Sequence, residues 1–327
     1  MESDLGRIAF YDAGQVEALL DYPGCIAAMR QAMTALSSGD RRQPLRQIVT
    51  VGAGELFGVM PGSLAALSTF GAKLVSVFGD PGRPGRSRHQ GVVVAYDDTT
   101  GAVACVADAE AVTRIRTACA SAAATDALAR SDARVLAVFG TGLQARSHLR
   151  ALALVRPFES MLLWGRSAAS AQATAASLAE ELGLPIEAVA DGREAATRAD
   201  VICTVSGAPA PILFGDWVRP GTHLNLVGSS YLGPVEVDTP LVAAARYIAD
   251  YRPSVLAQAS ELAIAREAGA VDDSHVVGEI GEVYAGKLVG RERRDQITLY
   301  KSLGHVVQDL AAAVYLHQNA QKRSPNA

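Results

Sequence analysis

The stretch LAVFGTGLQARSHL, from Leu136 to Leu149, decides the fold of this chain. An apolar run of strand length ends at Gly140, and a helix-forming segment begins shortly after Gly142. Gly140, Gly142 and Ala145 match the dinucleotide-binding pattern G-x-G-x-x-[GA]. The first glycine permits a sharp turn, the second lets a pyrophosphate approach the backbone, and the small alanine lets the helix pack close to the strand.

The same glycines could serve only a tight turn, and the flanking strand and helix favour the phosphate site. A helix N-terminus offers free N–H groups and the positive end of the helix dipole to a phosphate. Thr141, Leu143 and Gln144 occupy the variable positions of the pattern, so we expect them to line the cofactor together with the small residues. The loop is thereby predicted to bind a dinucleotide.

Apolar runs of strand length alternate with helical segments from about Arg134 onward. The predicted strands are RVLAVFG, SMLLWG, VICTVS and HLNLVGS. Such alternation is typical of a parallel sheet covered by helices on both faces. The predicted fold class is therefore α/β, with a Rossmann-type doubly wound parallel sheet in this part of the chain.

The end of the second predicted strand, LLWGRS, bears on the choice of dinucleotide. NAD-binding sites usually carry an Asp or Glu at this place, whereas this chain has Gly165, Arg166 and Ser167. An arginine next to a small hydroxyl residue suits a ribose 2′-phosphate, because a guanidinium forms charge-assisted bonds to it. We expect NADP(H) to be preferred and NAD(H) to be the alternative; Arg166 could also simply end the strand in solvent.

The first 115 residues have a different pattern. A predicted helix from about Gln15 to Leu36 precedes short β-like pieces, RQIVTV, LFGVMPG, FGAKLVSVFG and QGVVVAYDDTTGAVACVAD. Turns rich in Gly, Pro and Asp separate these pieces, which predicts a mixed or antiparallel sheet. We therefore expect residues 1–115, together with a last helix in 306–327, to form a smaller mixed α+β domain. Residues 116–305 are expected to form the NAD(P)-binding domain.

Composition and charge limit the kinds of molecule that this protein is expected to bind. The 327 residues carry a formal net charge of −4 with the charges scattered, which is not the pattern of a nucleic-acid or membrane-surface protein. Four widely spaced cysteines have no histidine at metal-ligand spacing, so they are expected to be reduced core thiols without a metal. With no leader or spanning segment in view, a cytoplasmic enzyme with a small-molecule substrate is the expectation.

Several longer motifs resemble the ornithine cyclodeaminase/mu-crystallin family. They are GAKLVSVF, AVTRIRTACASAAATDALA, VFGTGLQARSHLRAL, HLNLVGSS followed by VEVD, and ITLYKSLGHVVQDLAAA. The resemblance covers nearly the whole chain. It implies a homodimer whose first domain binds substrate and provides the subunit contact, and hydride exchange between a nicotinamide and the α-carbon of an amino or imino acid.

Three cations match family positions around the substrate carboxylate: Arg46 in QPLRQ, Lys73 in GAKLV and Arg116 in RIRTA. Arginine forks orient a planar carboxylate well, and a lysine beside two arginines can have a lowered pKa. Taken singly, each could be an ordinary solvated charge. The resemblance also places Ser302 of KSLG against the nicotinamide, unless it caps the last helix. Thr117, next to Arg116, is expected to reach the phosphates.

Two positions depart from the cyclodeaminase pattern. Family cyclodeaminases carry one acidic residue shortly before an MP dipeptide and another after the fifth Rossmann strand, where this chain has Gly58 and Ser230. A distal ammonium would lack a counter-charge there. We therefore expect an NADPH-dependent reductase of a small imino acid, such as the cyclic ketimines 1-pyrroline-2-carboxylate and 1-piperideine-2-carboxylate, that forms the L-amino acid.

Three alternatives stay open. Two of them are other enzyme activities, ornithine cyclodeaminase and alanine dehydrogenase. The third is a crystallin-like binding protein, which would bind NADP and a small ligand but show little turnover. The proton donor to the imine would be Lys73 or water.

Overall fold

The computed structural model describes residues 8–39, 43–78 and 89–323. The chain divides into two compact units: unit 1 comprises Met1–Arg116 and His305–Ala327, and unit 2 comprises Thr117–Gly304.

The elements follow in chain order. Those up to the unit boundary are β1 (Ala9–Tyr11), α1 (Ala13–Leu19), α2 (Tyr22–Ser37), β2 (Gln47–Gly52), β3 (Glu55–Leu64), β4 (Thr69–Val77), β5 (His89–Asp97), β6 (Val103–Asp108) and α3 (Ala109–Leu128). Those that follow are β7 (Val135–Phe139), α4 (Leu143–Ala153), β8 (Ser160–Trp164), α5 (Ala168–Leu182), β9 (Ile186–Ala188), α6 (Gly192–Arg198), β10 (Val201–Thr204), β11 (His223–Leu226), α7 (Thr239–Ala244), β12 (Arg246–Ala249), α8 (Arg252–Gln258), α9 (Ser260–Glu267), β13 (Val276–Glu279), α10 (Ile280–Tyr284), β14 (Thr298–Lys301) and α11 (Val306–Arg323). The unit boundary falls within α3.

Unit 1 is built on a six-stranded mixed sheet in the order β1-β6-β5-β4-β3-β2. Only the β1–β6 pair is parallel. Helix α11 packs against α2 and against strands β3 to β6. Lys73 lies opposite Met60 on β3 and Val93 on β5, so it occupies the middle of the sheet. Its side chain is on the face that α11 covers, because its Nζ lies 3.6 Å from Oδ1 of Asp309 on α11.

The helix predicted from Gln15 to Leu36 is wrong in one respect, because it is two helices. α1 ends at Leu19, and the Asp21 side chain caps α2 by accepting a 2.8 Å hydrogen bond from the Gly24 N–H. Pro23 lies in the first turn of α2, where its missing N–H costs nothing, whereas in the interior of one long helix it would remove a hydrogen bond and clash.

Unit 2 contains an eight-stranded parallel sheet in the order β13-β12-β14-β11-β10-β7-β8-β9. From β7 the chain moves outward through β8 and β9, and then returns to the other side of β7 at β10. The carboxyl ends of β7 and β10 thus form the topological switch point, where open α/β sheets bind ligands. The predicted fold class, a Rossmann-type sheet with a second mixed α+β part, is confirmed.

The interiors consist mainly of aliphatic side chains and alanines from the predicted strands and helices. All four cysteines are buried, and none of them forms a disulfide. Among the described residues, no helix is both long enough and apolar enough to cross a bilayer.

Candidate functional site

The glycine-rich turn lies at the switch point of unit 2. Gly140 directly follows β7 and has a φ of +140°, a conformation that side-chain-bearing residues rarely adopt. A Cβ at Gly140 would also come within 3.0 Å of the Val205 carbonyl oxygen, just after β10. The protein itself therefore needs a glycine at this position to make the turn.

Gly142 has a different role in the same turn. A Cβ there would have no atom within 4 Å, and its φ of −82° suits any residue, so the fold alone does not demand glycine. Gly142 is the N-cap of α4 and supplies no side-chain cap to the first turn of the helix. Ala145 is fully buried, and the Oε1 atom of Gln144 is buried without a described hydrogen-bond partner. The open space and uncapped N–H groups fit a pyrophosphate.

The second predicted cofactor segment follows β8. A Cβ on Gly165 would lie 2.6 Å from the Cγ2 atom of Thr141, so close packing brings these two predicted residues together. Arg166 is exposed. Ser167 caps α5, because its Oγ accepts a 3.2 Å bond from the Ser170 N–H, and its hydroxyl hydrogen stays available to an acceptor.

The KSLG segment is fixed by a carboxylate that the sequence analysis missed. The Oδ2 atom of Asp250 accepts 2.7 Å hydrogen bonds from the N–H groups of Leu303 and Gly304. The Oγ atom of Ser302 is buried and has no hydrogen-bond partner in the part of the chain that the structure describes. Because α11 begins only at Val306, the alternative that Ser302 caps it is wrong. Thr117 is buried within α3.

Glu236, also missed as a site residue, joins the ends of β10 and β11. Its fully buried carboxylate accepts hydrogen bonds from the Thr204 hydroxyl (2.8 Å), from the Ser206 N–H (2.6 Å) and hydroxyl (2.9 Å), and from the Gly228 N–H (2.8 Å). Burial raises the pKa of Glu236, and the Lys301 charge and these donors oppose that shift. Asp238, two residues later, caps α7, since its side chain accepts a hydrogen bond from the Leu241 N–H.

Lys301 completes this buried polar network. Its Nζ donates to the Ser229 carbonyl oxygen (2.8 Å), to the Ser229 Oγ (2.5 Å) and to Glu261 (3.1 Å), and neither charged side chain is exposed. Two buried carboxylates and one ammonium thus stabilise the loop after β11. A charged residue in an otherwise apolar strand, such as the lysine in ITLYK, was the available sequence signal.

Two of the three predicted carboxylate-binding cations meet in unit 1. Arg116 Nε donates a 2.9 Å hydrogen bond to Oδ1 of Asp309 on α11, and Lys73 Nζ lies 3.6 Å from the same oxygen. Lys73 also donates to the Thr113 hydroxyl at 2.5 Å. The side chain of Asp309 is fully buried, and Lys73 and Arg116 are nearly so. Asp309 was not predicted, although an acidic residue inside the apolar pattern VVQDLAAA is its signal.

The electrostatics place the third cation near the other two. Burial lowers the pKa of Lys73 to about 8; Asp309 opposes this shift, while the charges of Arg116 and Arg46 add to it. The expected lowering is present, but desolvation rather than the two arginines is its largest cause. Half-buried Arg46 thus acts on Lys73. Burial lowers the pKa of His305 to about 4, so this histidine is neutral at pH 7.

The guanidinium of Arg116 is only partly engaged by protein groups. Its Nη1 donates a 2.7 Å bond to Oε1 of Gln308, and its Nε is bound to Asp309. Its Nη2 donates to no group among the residues described. The Nη2 group of Arg116 and the ammonium of Lys73 can therefore both donate hydrogen bonds to a bound carboxylate.

The positions that lack the cyclodeaminase carboxylates have different surroundings. Gly58 is buried on β3, and a Cβ there would meet the side chains of Val75 at 3.2 Å and Ile48 at 3.5 Å. Ser230 is half-buried in the loop after β11. No group of three or more His, Cys, Asp or Glu side chains able to hold a metal occurs in residues 8–39, 43–78 and 89–323.

The doubly wound sheet and the uncapped glycine turn at its switch point define a dinucleotide-binding protein. Similar proteins named as reductases of imines, one of them solved with NADH, identify the chain as an NAD(P)-dependent oxidoreductase. The chain belongs to the ornithine cyclodeaminase/mu-crystallin family, whose model matches residues 9–324. This confirms the resemblance found in the sequence.

Two relatives show what the chain is similar to. The ketimine reductase mu-crystallin of Rattus norvegicus is 32% identical over 316 residues, which is 95% of this chain and 97% of that protein. A delta(1)-pyrroline-2-carboxylate reductase of Bacillus cereus is 31% identical over 266 residues, 81% of this chain and 82% of the relative.

Two solved structures are also similar. The delta(1)-pyrroline-2-carboxylate reductase of Thermococcus litoralis, in complex with NADH and L-proline, superposes with a TM-score of 0.92 at 29% identity, covering 97% of this chain and 98% of that one. An archaeal alanine dehydrogenase dimer with bound NAD gives a TM-score of 0.89 at 26% identity, covering 97% of each chain.

Proposed function

We propose that this chain is an NADPH-dependent reductase of a small cyclic ketimine carboxylate, such as 1-pyrroline-2-carboxylate or 1-piperideine-2-carboxylate, which it converts to the L-amino acid. The observation that carries the proposal is the buried pair Lys73 and Arg116, held on Asp309 with hydrogen-bond donors to spare. Relatives named as reductases of imino acids support the reaction type.

The cationic cluster would bind and orient the substrate carboxylate. Arg116 offers Nη2, Lys73 offers an ammonium, and Arg46 adds positive charge. When bound, the nicotinamide supplies the hydride that reduces the imine carbon. The imine must be protonated to be a good electrophile, and Lys73, whose pKa of about 8 lies near neutrality, is the proton donor that we favour over water.

We infer that NADPH is the preferred cofactor. Gly140 to Ala145 would hold the pyrophosphate, and Arg166 with the Ser167 hydroxyl would bind the 2′-phosphate. No carboxylate stands in Gly165-Arg166-Ser167 to repel that phosphate. The similar structures with NADH or NAD make NAD(H) the competing choice. Ser302, with its unpartnered buried hydroxyl, and Thr117 are the remaining proposed cofactor contacts.

The surroundings of Gly58 argue against ring closure of ornithine. Its neighbours Val75 and Ile48 are apolar, so a distal ammonium would find no carboxylate beside it. Ser230 likewise offers a hydroxyl instead of a charge. Alanine dehydrogenase activity remains the second candidate, because a dehydrogenase of this type is among the similar structures.

A homodimer is also part of the proposal. Strand β2 forms the edge of the unit 1 sheet, and its apolar residues Ile48, Val49 and Val51 are each at least half exposed. An apolar edge strand invites pairing with another chain, and the archaeal alanine dehydrogenase is a dimer. A second copy of this chain is the occupant we assign to that edge.

The test is a substrate panel with the full chain. NADPH oxidation would be followed with 1-pyrroline-2-carboxylate, 1-piperideine-2-carboxylate and pyruvate plus ammonia, and ornithine with NAD would be tested for release of ammonia and proline. We expect turnover on a cyclic ketimine. Efficient proline formation from ornithine would refute the reductase, and tight NADPH binding without turnover on any imino acid would indicate a ligand-binding protein.

A further inference from the structure

The cation cluster contains a group that the proposed chemistry does not use. Asp309 is fully buried on α11 and lies between Arg116 and Lys73, contacting both through Oδ1. Its other oxygen, Oδ2, is buried and accepts no hydrogen bond from the described part of the chain. Burying a carboxylate with one oxygen unpaired costs free energy of folding, unless the carboxylate offsets the cost of burying the positive charges beside it.

We propose that Asp309 is a positioning residue that keeps Lys73 protonated at neutral pH and turns the Nη2 edge of Arg116 toward a bound carboxylate. The geometry assigns both tasks to one atom, because the Arg116 hydrogen bond and the Lys73 ion pair share Oδ1. The inference rests on the proposed function only in taking the ligand to be a carboxylate.

The charges around Lys73 explain why such a residue is needed. Arg116 on α3 and Arg46 before β2 both disfavour the ammonium, and burial does so more strongly. His305, before α11, is neutral at pH 7, and Thr113 on α3 offers only a hydroxyl. The facing residues on β3 and β5, Met60 and Val93, carry no charge. Asp309 is thus the one carboxylate in this described set that favours protonated Lys73.

The arrangement has a consequence for ligand binding. While Asp309 is present, Lys73 can meet an incoming carboxylate as a cation, so affinity should fall only as the pH rises above about 8. Without that charge, Lys73 would lose its proton at lower pH. The shift expected from removing an opposite charge at this distance is about 1–3 pH units.

The experiment measures binding rather than turnover. Pyrrole-2-carboxylate, a planar carboxylate without a reducible imine, would be titrated calorimetrically into the full chain between pH 5.5 and 9.5 (about the usable buffer range for a group with this pKa). The variants are Asp309→Asn and, as matched control, Gln308→Met, which removes the neighbouring contact to Arg116 without changing charge.

We expect Asp309→Asn to lower the pH at which affinity for the carboxylate is lost. Gln308→Met should weaken binding at every pH but leave the pH of that loss unchanged. A folded Asp309→Asn protein whose profile coincides with that of the parent would overturn the inference. If Asp309→Asn does not fold, the double variant with Lys73→Met should be more stable than the single variant, because only Arg116 and no longer Lys73 is then a buried cation without its carboxylate partner. A double variant as unstable as the single one would equally refute the pairing.

Because pyrrole-2-carboxylate is not turned over, these results stand apart from the substrate panel. A chain that reduces no ketimine but shows the shifted binding profile would keep the inference and lose the proposed reaction. The opposite result would keep the reaction and lose the role of Asp309.

Discussion

Gly140 lies directly against Val205, close enough that a Cβ on the glycine would approach the Val205 carbonyl oxygen to 3.0 Å. This contact joins the ends of β7 and β10, which are adjacent strands of the parallel sheet. The glycine two residues later has no such neighbour. One glycine of the turn therefore serves the fold, and the other leaves room for a ligand.

The two glycines should respond differently to alanine. Gly140→Ala should lower the free energy of unfolding by about 2 kcal/mol or more, because of its positive φ and the contact with Val205. Gly142→Ala should change stability by less than about 1 kcal/mol and weaken NADPH binding about tenfold or more, because the methyl group enters the phosphate space. Urea unfolding and fluorescence titration measure these effects. Unchanged NADPH affinity in Gly142→Ala would contradict the phosphate site.

Arg166 should decide the cofactor preference. Loss of a charge-assisted bond to the 2′-phosphate in Arg166→Ala should weaken NADPH binding by about 10- to 100-fold and leave NADH binding nearly unchanged. Arg293→Ala, which removes another exposed arginine of unit 2, is the control. Dissociation constants for both cofactors give the answer. Tighter binding of NADH than NADPH by the parent protein would already be incompatible with our assignment.

Lys73 should be essential and should set the alkaline side of the pH profile. Its ammonium, with a pKa of about 8, is protonated below that pH, so kcat/KM should be constant toward neutrality and decline as the pH rises above 8. Lys73→Met should reduce kcat/KM about 100-fold or more, as expected for loss of a buried charged contact to the substrate. Lys287→Met, at an exposed lysine, is the matched control. Full activity in Lys73→Met would exclude the cluster as the substrate site.

Glu236 should matter for stability. Glu236→Gln places an amide NH2 among groups that donate hydrogen bonds to the present carboxylate, from Thr204, Ser206 and Gly228. We expect a loss of about 1–3 kcal/mol in the free energy of unfolding. Asp238→Asn, two residues away, keeps a good helix cap and should cost less than about 0.5 kcal/mol. Equal effects of the two substitutions would count against the buried network as a stabilising element.

The β2 edge should control assembly. Val49→Lys introduces a charge on the exposed apolar edge strand and should shift the protein from dimer to monomer in light scattering at micromolar concentration. Leu154→Lys, at a similarly exposed leucine that follows α4, should leave the oligomeric state unchanged. A dimer that persists in Val49→Lys would place the subunit contact elsewhere.

The local pattern of the chain predicted the parallel sheet well, because buried strands and Ala-rich helices have distinct periods and compositions. It failed between Gln15 and Leu36, where the Asp21 cap and Pro23 divide what looks like one amphipathic helix. It also missed the buried polar residues Glu236, Asp250 and Asp309, since each has hydrogen-bond partners about 30 or more residues away in sequence.

By itself, the sequence determined the class of fold, the position of the glycine turn, the cations Lys73 and Arg116 as candidates, and the family that these motifs resemble. Such features depend on residue type and spacing along the chain. The tertiary structure alone decided that Gly140 is required by Val205 while Gly142 is not, and that one buried carboxylate, Asp309, joins the two cations. Those relations arise because folding brings β7 next to β10 and α11 next to β4. In these water-excluded places, buried polar contacts are stronger and unpaired polar groups cost more free energy than in solvent.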